Sequence, residues 1–209
     1  ELSLDGKVRP IHGILPIARF AKENNFKELY VPMENVREAA IIDGINVFGI
    51  STLTGLIEHL LGTKKIEKAK LTIVDKVKSV ASVDFSDIRG QERAKRGLLI
   101  AAAGGHNAAM YGPPGTGKTM LAKAFAGILP ELSFEESLEV TSIHSVAGIL
   151  AETFITNPPF RAPHHTASYV SLVGGGSTPR PGEITLAHTG VLFMDEFPEF
   201  DRRVIESLR

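Results

Sequence analysis

The spacing of hydrophobic residues changes repeatedly between the helical and the extended period along the first 62 residues of the chain. Apolar residues that recur every three or four positions predict helices, and short apolar runs between turn-forming residues predict strands. The predicted elements are a hairpin of Leu2–Leu4 and Val8–Ile11, a helix from Leu15 to Asn24, a strand at Leu29–Val31, a helix at Asn35–Ile42, a strand at Val47–Ile50, and a helix that Ser51 caps and that ends at Leu61. This alternation indicates an α/β segment.

A second series of elements is predicted from Phe85 onward. It comprises a helix that follows Ile88–Glu92 and runs to Ala103, a short apolar run at Ala108–Tyr111, a helix from Lys118 towards Pro130, a helix at Ser133–Ile143 and a strand at Val191–Met194. A long connection rich in proline and glycine, residues 157–182, precedes the last strand. Long connections inside compact domains are often functional.

Residues 63–84, between the two series, have a different composition. They contain six lysines: Lys64, Lys65, Lys68, Lys70, Lys76 and Lys78. Because no aromatic residues interleave with these lysines, the segment is predicted to be a linker rather than a nucleic-acid-binding arm.

The most informative stretch is Gly112–Thr119, whose sequence GPPGTGKT has the form G-x-x-x-x-G-K-[ST] of a phosphate-binding loop. Its three glycines let the backbone turn sharply and approach a polyphosphate closely. The loop amides and the helix that follows then favour an anion. Lys118 is predicted to reach the β- and γ-phosphates, and the Thr119 hydroxyl to bind Mg²⁺. The alternative, a turn with a solvated lysine, is disfavoured by the flanking apolar run and helix.

An acidic pair, Asp195 and Glu196, follows the strand predicted at Val191–Met194. Four apolar residues suit a strand buried on both faces of a parallel sheet, and ligands bind at the carboxyl ends of such strands. Asp195 is predicted to hold Mg²⁺, and Glu196 to orient or deprotonate the attacking water. Apolar runs that end in acids are common, but downstream of a phosphate loop this one indicates a nucleotide-hydrolysing site.

The composition of the 209 residues, 43% hydrophobic and 22% charged, is ordinary for a globular protein of one or two domains. The net charge of -1 gives no global basic surface, so any contact with nucleic acid has to be local or to arise in an assembly. The sequence holds no cysteine, and we find no signal peptide and no run of about 18 apolar residues. These features predict a cytoplasmic protein without membrane contact.

Several residues of the long connection and its surroundings are further candidates. His164 and His165 are expected on opposite faces of a strand with no acidic residue within eight positions, which disfavours a transition-metal site relative to a structural or pore-loop contact. Arg161, with these histidines, is a candidate contact for a phosphate backbone, with a subunit interface as the alternative. Glu183 and His188 are expected to be solvated.

The order of three motifs, Ile88–Glu92, Gly112–Thr119 and Val191–Glu196, resembles an AAA+ ATPase. Longer motifs resemble more narrowly the magnesium chelatase-like YifB/ComM family; they are Pro159–Ser168, Gly174–Gly176 and Pro181–His188. The resemblance covers essentially the whole chain.

The resemblance implies an α/β fold with a P-loop AAA+ core built on a parallel sheet at residues 85–209. Residues 1–62 would be a partial Lon-protease-like segment of the ribosomal S5 domain 2 type, and residues 63–84 a lysine-rich linker. ATP and Mg²⁺ are the implied cofactors, with Lys118 and Glu196 catalytic and the metal held by Thr119 and Asp195. The residues expected to contact the nucleotide are Gly90, Gly112, Pro113, Pro114, Gly115, Thr116, Gly117, Lys118, Thr119 and Met120.

The family also implies a partner and an assembly. An inserted hairpin between Lys118 and Asp195 is expected to project toward the pore of a hexameric ring, and similar proteins are linked to DNA branch migration in natural transformation. The preferred function is therefore an ATP-driven DNA helicase. The alternatives are the motor of a chelatase that inserts Mg²⁺ into a porphyrin, and a nucleotide-dependent interaction module without translocation.

Two departures from the related families limit these expectations. The lysine expected after a Lon-type glycine turn at His12–Gly13 is missing, and the nearest lysine is Lys22, so proteolysis is not expected. Sensor residues and an arginine finger are expected beyond Arg209. Hydrolysis by this chain alone is therefore expected to be slow.

Overall fold

The computed structural model describes residues 1–74 and 83–208. The chain divides into two compact units, the first comprising Glu1–Lys76 and Thr141–Ile155, and the second Val77–Val140 and Thr156–Arg209. Part of the predicted linker, with Lys76 and Lys78, lies outside the described residues.

The first unit alternates helices and strands, as the hydrophobic spacing predicts. Its elements are α1 (Ile14–Glu23), β1 (Glu28–Pro32), α2 (Val36–Ala39), β2 (Asn46–Ile50) and α3 (Leu53–Leu60). β1 and β2 pair in parallel, with Val31 opposite Gly49. The predicted hairpin is reduced to one bridge between Leu2 and Val8. The apolar faces that predict these elements form the core of the unit, where Leu15, Val31 and Val47 are fully buried.

The predicted cap of α3 is wrong by one residue. Thr52, rather than Ser51, has extended backbone and accepts a hydrogen bond from the Gly55 amide at 3.1 Å. An N-cap hydroxyl serves this role when the helix begins at the next residue, and α3 begins at Leu53.

The segment predicted as a linker starts alongside the sheet of the first unit. Lys68 forms an antiparallel bridge with Phe48 of β2, and the Ala69 amide donates to the Val47 carbonyl at 2.8 Å. These residues therefore satisfy part of the open edge of β2.

The second unit contains the phosphate-loop motif and the acidic pair. Its elements are α4 (Glu92–Gly104), α5 (Lys118–Gly127), α6 (Phe134–Ala147), β3 (Phe160–Arg161), α7 (Tyr169–Val173), β4 (Gly174–Gly175), β5 (Arg180–Pro181), α8 (Glu183–Leu186), β6 (Val191–Leu192) and α9 (Arg202–Ser207). The chain boundary between the units falls inside α6. β3 pairs with β6 in parallel, and β4 with β5 antiparallel. No helix in the described ranges has the length and apolar character needed to cross a bilayer.

The strand predicted at Val191–Met194 is shorter and less buried than expected. Only Val191 and Leu192 pair, and all four residues of the run are half-buried. In the described part of the chain β6 has β3 as its one neighbour, so its other edge is open. Gly190 permits the approach of β3, because a Cβ there would lie 2.1 Å from the Pro159 carbonyl oxygen.

Two apolar clusters support the second unit. The first packs α4 against α5 through Leu98, Leu121 and Ala124, with the partly buried Phe125 at its margin. The second joins α7 to α9 and consists of the buried residues Leu172, Phe200 and Val204. The clusters lie behind the phosphate-loop helix and behind the acidic pair, respectively, so each half of the candidate site has its own apolar support.

An ion pair between Arg161 and Glu183 fixes β3 to the start of α8. Both guanidinium contacts, from Nε and Nη2, are 2.6 Å long, and the side chains of Arg161 and Glu183 are only 31% and 20% exposed. Hydrogen bonding to Glu183 raises the pKa of the Arg161 guanidinium above its ordinary value. The expectation that Glu183 is solvated is therefore wrong. The positive charge of Arg161 is already paired with the Glu183 carboxylate.

Replacing Glu183 by alanine should destabilise the protein by about 2 kcal/mol, because the partly buried guanidinium would lose both charged acceptors. Urea unfolding of the two proteins measures the difference. Glu206→Ala is the matched control, since it removes the exposed pair with Arg202 and should cost less than about 0.5 kcal/mol. Equal losses for the two variants would contradict a structural role for the Arg161–Glu183 pair.

Candidate nucleotide-binding site

The loop Gly112–Gly117 ends where α5 begins, at Lys118. Gly115 and Gly117 have left-handed backbones, with φ of 78° and 83°. A Cβ at either glycine would meet no atom within 4 Å, so the loop has an open side into which a ligand could fit. The first turn of α5 directs its free amide groups to the same region, which suits an anion.

The Lys118 side chain folds back over the loop. Its ammonium group donates to the carbonyl oxygens of Gly112 and Pro113, each at 2.9 Å. The Thr116 hydroxyl also donates to Pro113, at 2.9 Å, and closes the turn. Lys118 forms no ion pair within the described ranges, and an ammonium group has three donors, so a phosphate could add the missing negative partner.

The Thr119 hydroxyl lies 3.3 Å from the Asp195 carboxylate. α5 supplies Thr119 and the segment after β6 supplies Asp195, so two parts of the chain 76 positions apart meet here. Adjacent oxygen ligands of octahedral Mg²⁺ are about 2.9 Å apart, close to the observed separation. The donor set, one hydroxyl and one carboxylate oxygen, therefore fits this hard cation when phosphate oxygens and water complete the shell.

Glu196 adopts a left-handed backbone, with φ 54° and ψ 46°, immediately before a short 3₁₀ turn at Phe197–Glu199. Its amide donates to the Asp195 carboxylate at 3.1 Å. One carboxylate oxygen of Glu196 lies 3.1 Å from Nδ1 of His165. The two acids of the pair therefore point to different partners, Asp195 to Thr119 and Glu196 to His165.

The prediction that His164 and His165 point to opposite faces of a strand is wrong. β3 ends at Arg161, and the two imidazole centroids are only 4.2 Å apart in the following turn. The chain also brings an acidic residue, Glu196, to His165 across 31 positions. Among the described residues there is nonetheless no group of three or more histidine, aspartate or glutamate side chains that could hold a metal ion.

A cavity of about 530 Å³ opens beside the loop between α4 and residues 106–111. Its lining includes apolar side chains of Leu98, Met110 and Leu121 together with polar groups of Gln91 and Lys118. Volumes of this size are usual for small-molecule sites. The run Ala108–Tyr111 that lines it forms neither helix nor strand in the described structure.

Gln91, which follows Gly90 in the Ile88–Glu92 motif, contacts the glycine loop. It has a left-handed backbone, φ 60°, directly after Gly90 at φ 68°. The side-chain amide nitrogen of Gln91 donates to the Thr116 carbonyl at 3.3 Å. The contact ties the start of α4, where Gln91 lines the cavity, to the loop.

His165 is a candidate in the sequence analysis, but its contact with Glu196 could not be predicted, because that contact depends on how the long connection folds. His188, expected to be solvated, is half-exposed and lies 3.2 Å from Glu139.

Comparison with protein families supports a single relationship along the chain. A profile of the family described as magnesium chelatase, subunit ChlI, matches residues 84–209. A profile described as subunit ChlI of Mg-chelatase matches residues 1–35. The first match contains the loop, the acidic pair and the long connection between them.

Individual relatives align with the whole chain. It is 48% identical over 212 residues to a protein of Mycobacterium tuberculosis, 43% identical over 215 residues to the competence protein ComM of Haemophilus influenzae, and 44% identical over 210 residues to the YifB protein of Escherichia coli. Each alignment covers 100% of this chain but only 42%, 42% and 41% of the respective relatives. The chain thus spans less than half the length of the relatives it matches.

Gly117→Ala should destabilise the protein by about 1–2 kcal/mol, because alanine is strained at φ 83°. Gly97→Ala is the matched control inside α4, where a Cβ has open space, and it should stabilise by about 0.5–1 kcal/mol. Thermal unfolding of the two variants measures both effects. A neutral Gly117→Ala substitution would contradict the left-handed loop geometry.

Proposed function

Because the chain belongs to the magnesium chelatase, subunit ChlI, family and within it to the YifB/ComM type, we propose that it is the ATP-binding part of an AAA+ motor ATPase that acts on DNA. The observation that carries this proposal is the contact of Thr119 with Asp195 at the end of an open glycine loop. That combination suits the polyphosphate of ATP together with Mg²⁺.

We assign the site residues as follows. Lys118 leaves the Gly112 and Pro113 carbonyls, at least in part, and pairs with the β- and γ-phosphates. Thr119 and Asp195 hold Mg²⁺, which on binding neutralises phosphate charge. Glu196 orients the attacking water and accepts its proton.

The loop residues Pro113, Pro114, Gly115, Thr116 and Gly117 surround the phosphates. The base and ribose occupy the cavity next to α4, with Gly90 and Gln91 at its rim and Met120 on the first turn of α5. The mixed lining, apolar from Leu98 and Leu121 and polar from Gln91, suits a purine that stacks on one side and hydrogen-bonds at its edge.

The proposals for the domains and for the assembly rest on the family to which the chain belongs. We propose that residues 85–209 belong to a P-loop AAA+ core, that residues 1–62 are a Lon-protease-like segment, and that the longer protein assembles as a hexameric ring. In such a ring the arginine that completes γ-phosphate transfer comes from a neighbouring subunit.

We propose the β4–β5 hairpin as the contact with DNA. Three consecutive glycines with positive φ, Gly174–Gly176, lead into an exposed turn that ends at Arg180. Unlike Arg161, Arg180 forms no ion pair within the described ranges. A chain with a net charge of -1 can still present a basic pore when every subunit of a ring contributes one such arginine. The name of the Haemophilus influenzae relative, a competence protein, is consistent with DNA as the polymer.

The family description favours one alternative, the motor of a magnesium chelatase. In that case the same ATPase site would drive insertion of Mg²⁺ into a porphyrin, and the hairpin would contact a protein partner rather than DNA.

ATPase assays of the full-length protein with single-stranded, double-stranded and branched DNA distinguish these functions. We expect at least one DNA to raise turnover severalfold, and Lys118→Ala to remove hydrolysis with and without DNA. Arg180→Ala should weaken the DNA stimulation, whereas Arg202→Ala, at a residue 91% exposed, should not.

Hydrolysis that no DNA stimulates but that a porphyrin and a partner subunit require would favour the chelatase motor. ATP binding with no effect of either would leave a nucleotide-dependent interaction module as the function.

A further inference from the structure

The side chain of Glu196 is held by a residue with no role in the site so far. Its Oε2 atom lies 3.1 Å from Nδ1 of His165, whose side chain is 27% exposed, whereas that of Glu196 is 65% exposed. A carboxylate with this much exposure would otherwise sample several rotamers. The contact leaves Oε1 available to a second partner.

The backbone also sets the direction of Glu196. A left-handed conformation is uncommon for a residue other than glycine and costs about 1 kcal/mol or more. Glu196 adopts this conformation in the turn that follows β6, immediately before the 3₁₀ turn at Phe197–Glu199. Strained backbone of this kind often occurs at functional sites.

His165 itself is fixed on two sides. Its ring lies 4.2 Å from the ring of His164, and it meets Phe200 edge-on at 6.5 Å. Phe200 is only 4% exposed and belongs to the apolar cluster with Leu172 and Val204. The Nδ1 atom of His164 is in turn 2.8 Å from the Thr166 hydroxyl. The imidazole of His165 is therefore anchored to the core behind the acidic pair.

We propose that His165 is the positioning residue for Glu196, an inference that rests on the proposed function. With Oε2 bonded to His165, Oε1 faces the attacking water and receives its proton. The water oxygen forms the new bond to the γ-phosphorus, the bond from that phosphorus to the bridging oxygen breaks, and ADP leaves with the electron pair. His165 does not touch the reacting atoms; it restricts the orientation of the group that does.

Two substitutions separate positioning from packing. His165→Asn keeps a nitrogen donor near the place of Nδ1 but removes the ring that packs on Phe200. His165→Phe keeps an aromatic ring but removes the donor. His188 supplies the matched control, because it contacts Glu139 at 3.2 Å in the same unit but away from the acidic pair.

The variants are compared in the full-length protein by steady-state kinetics and by the affinity for ADP with aluminium fluoride, which imitates the transferring phosphoryl group. For His165→Phe we expect kcat to fall on the order of tenfold with KM changed less than twofold. Its affinity for ADP–aluminium fluoride should fall by a similar factor, and its affinity for ADP alone should not change. His165→Asn should recover most of kcat, and His188→Phe should behave like the unmodified protein.

Unchanged or increased kcat in His165→Phe would overturn the inference, and an increase would mean that the contact withholds Glu196 from the water. If His165→Asn and His165→Phe lower kcat equally, His165 acts only through packing and the inference is wrong. These results leave the proposed ATPase intact, whereas an unmodified protein that neither binds nor hydrolyses ATP would refute the proposed function and the inference together.

Discussion

The contact between the Thr119 hydroxyl and the Asp195 carboxylate, 3.3 Å long, is the interaction on which the candidate site depends. It joins the first turn of the helix after the glycine loop to the segment after β6. Each partner is supported from behind by a different apolar cluster, one containing Leu121 and the other Phe200. Without this contact the open loop and the acidic pair would be separate features. With it they form one site in which a hydroxyl and a carboxylate oxygen lie side by side.

The backbone as well as the side chains determines which groups lie around Asp195. Gly190 allows β3 and β6 to approach, and the pair of Arg161 with Glu183 then ties β3 to α8. Because β3 ends at Arg161, the following turn brings the two histidines together beside Glu196. The order of these elements explains why Asp195 and Glu196, adjacent in sequence, contact different groups. One acid faces the loop and the other faces the histidine.

Local features of the fold could be predicted from the sequence, and long-range contacts could not. The bounds of α1 and α4 follow from apolar spacing and from the residues that end each helix, and the structure confirms them to within one residue. The strand at Val191–Met194 was predicted as buried, but burial depends on neighbouring strands, of which the described chain supplies only β3. The loop and the acidic pair could be recognised because their chemistry requires particular residue types at fixed spacing. The contacts of Glu183 and His165 depend on how residues 157–182 fold back, which no local pattern specifies.

Calorimetric titration of ATP into the protein, with Mg²⁺ and with EDTA in its place, tests the central claim most directly. If Thr119 and Asp195 hold the cation, Mg²⁺ should tighten ATP binding at least tenfold, about 1.4 kcal/mol. Asp195→Asn should lose most of this coupling, and Asp201→Asn, at the cap of α9, should keep it. Equal ATP affinity with and without Mg²⁺ in the folded, unmodified protein would contradict the account.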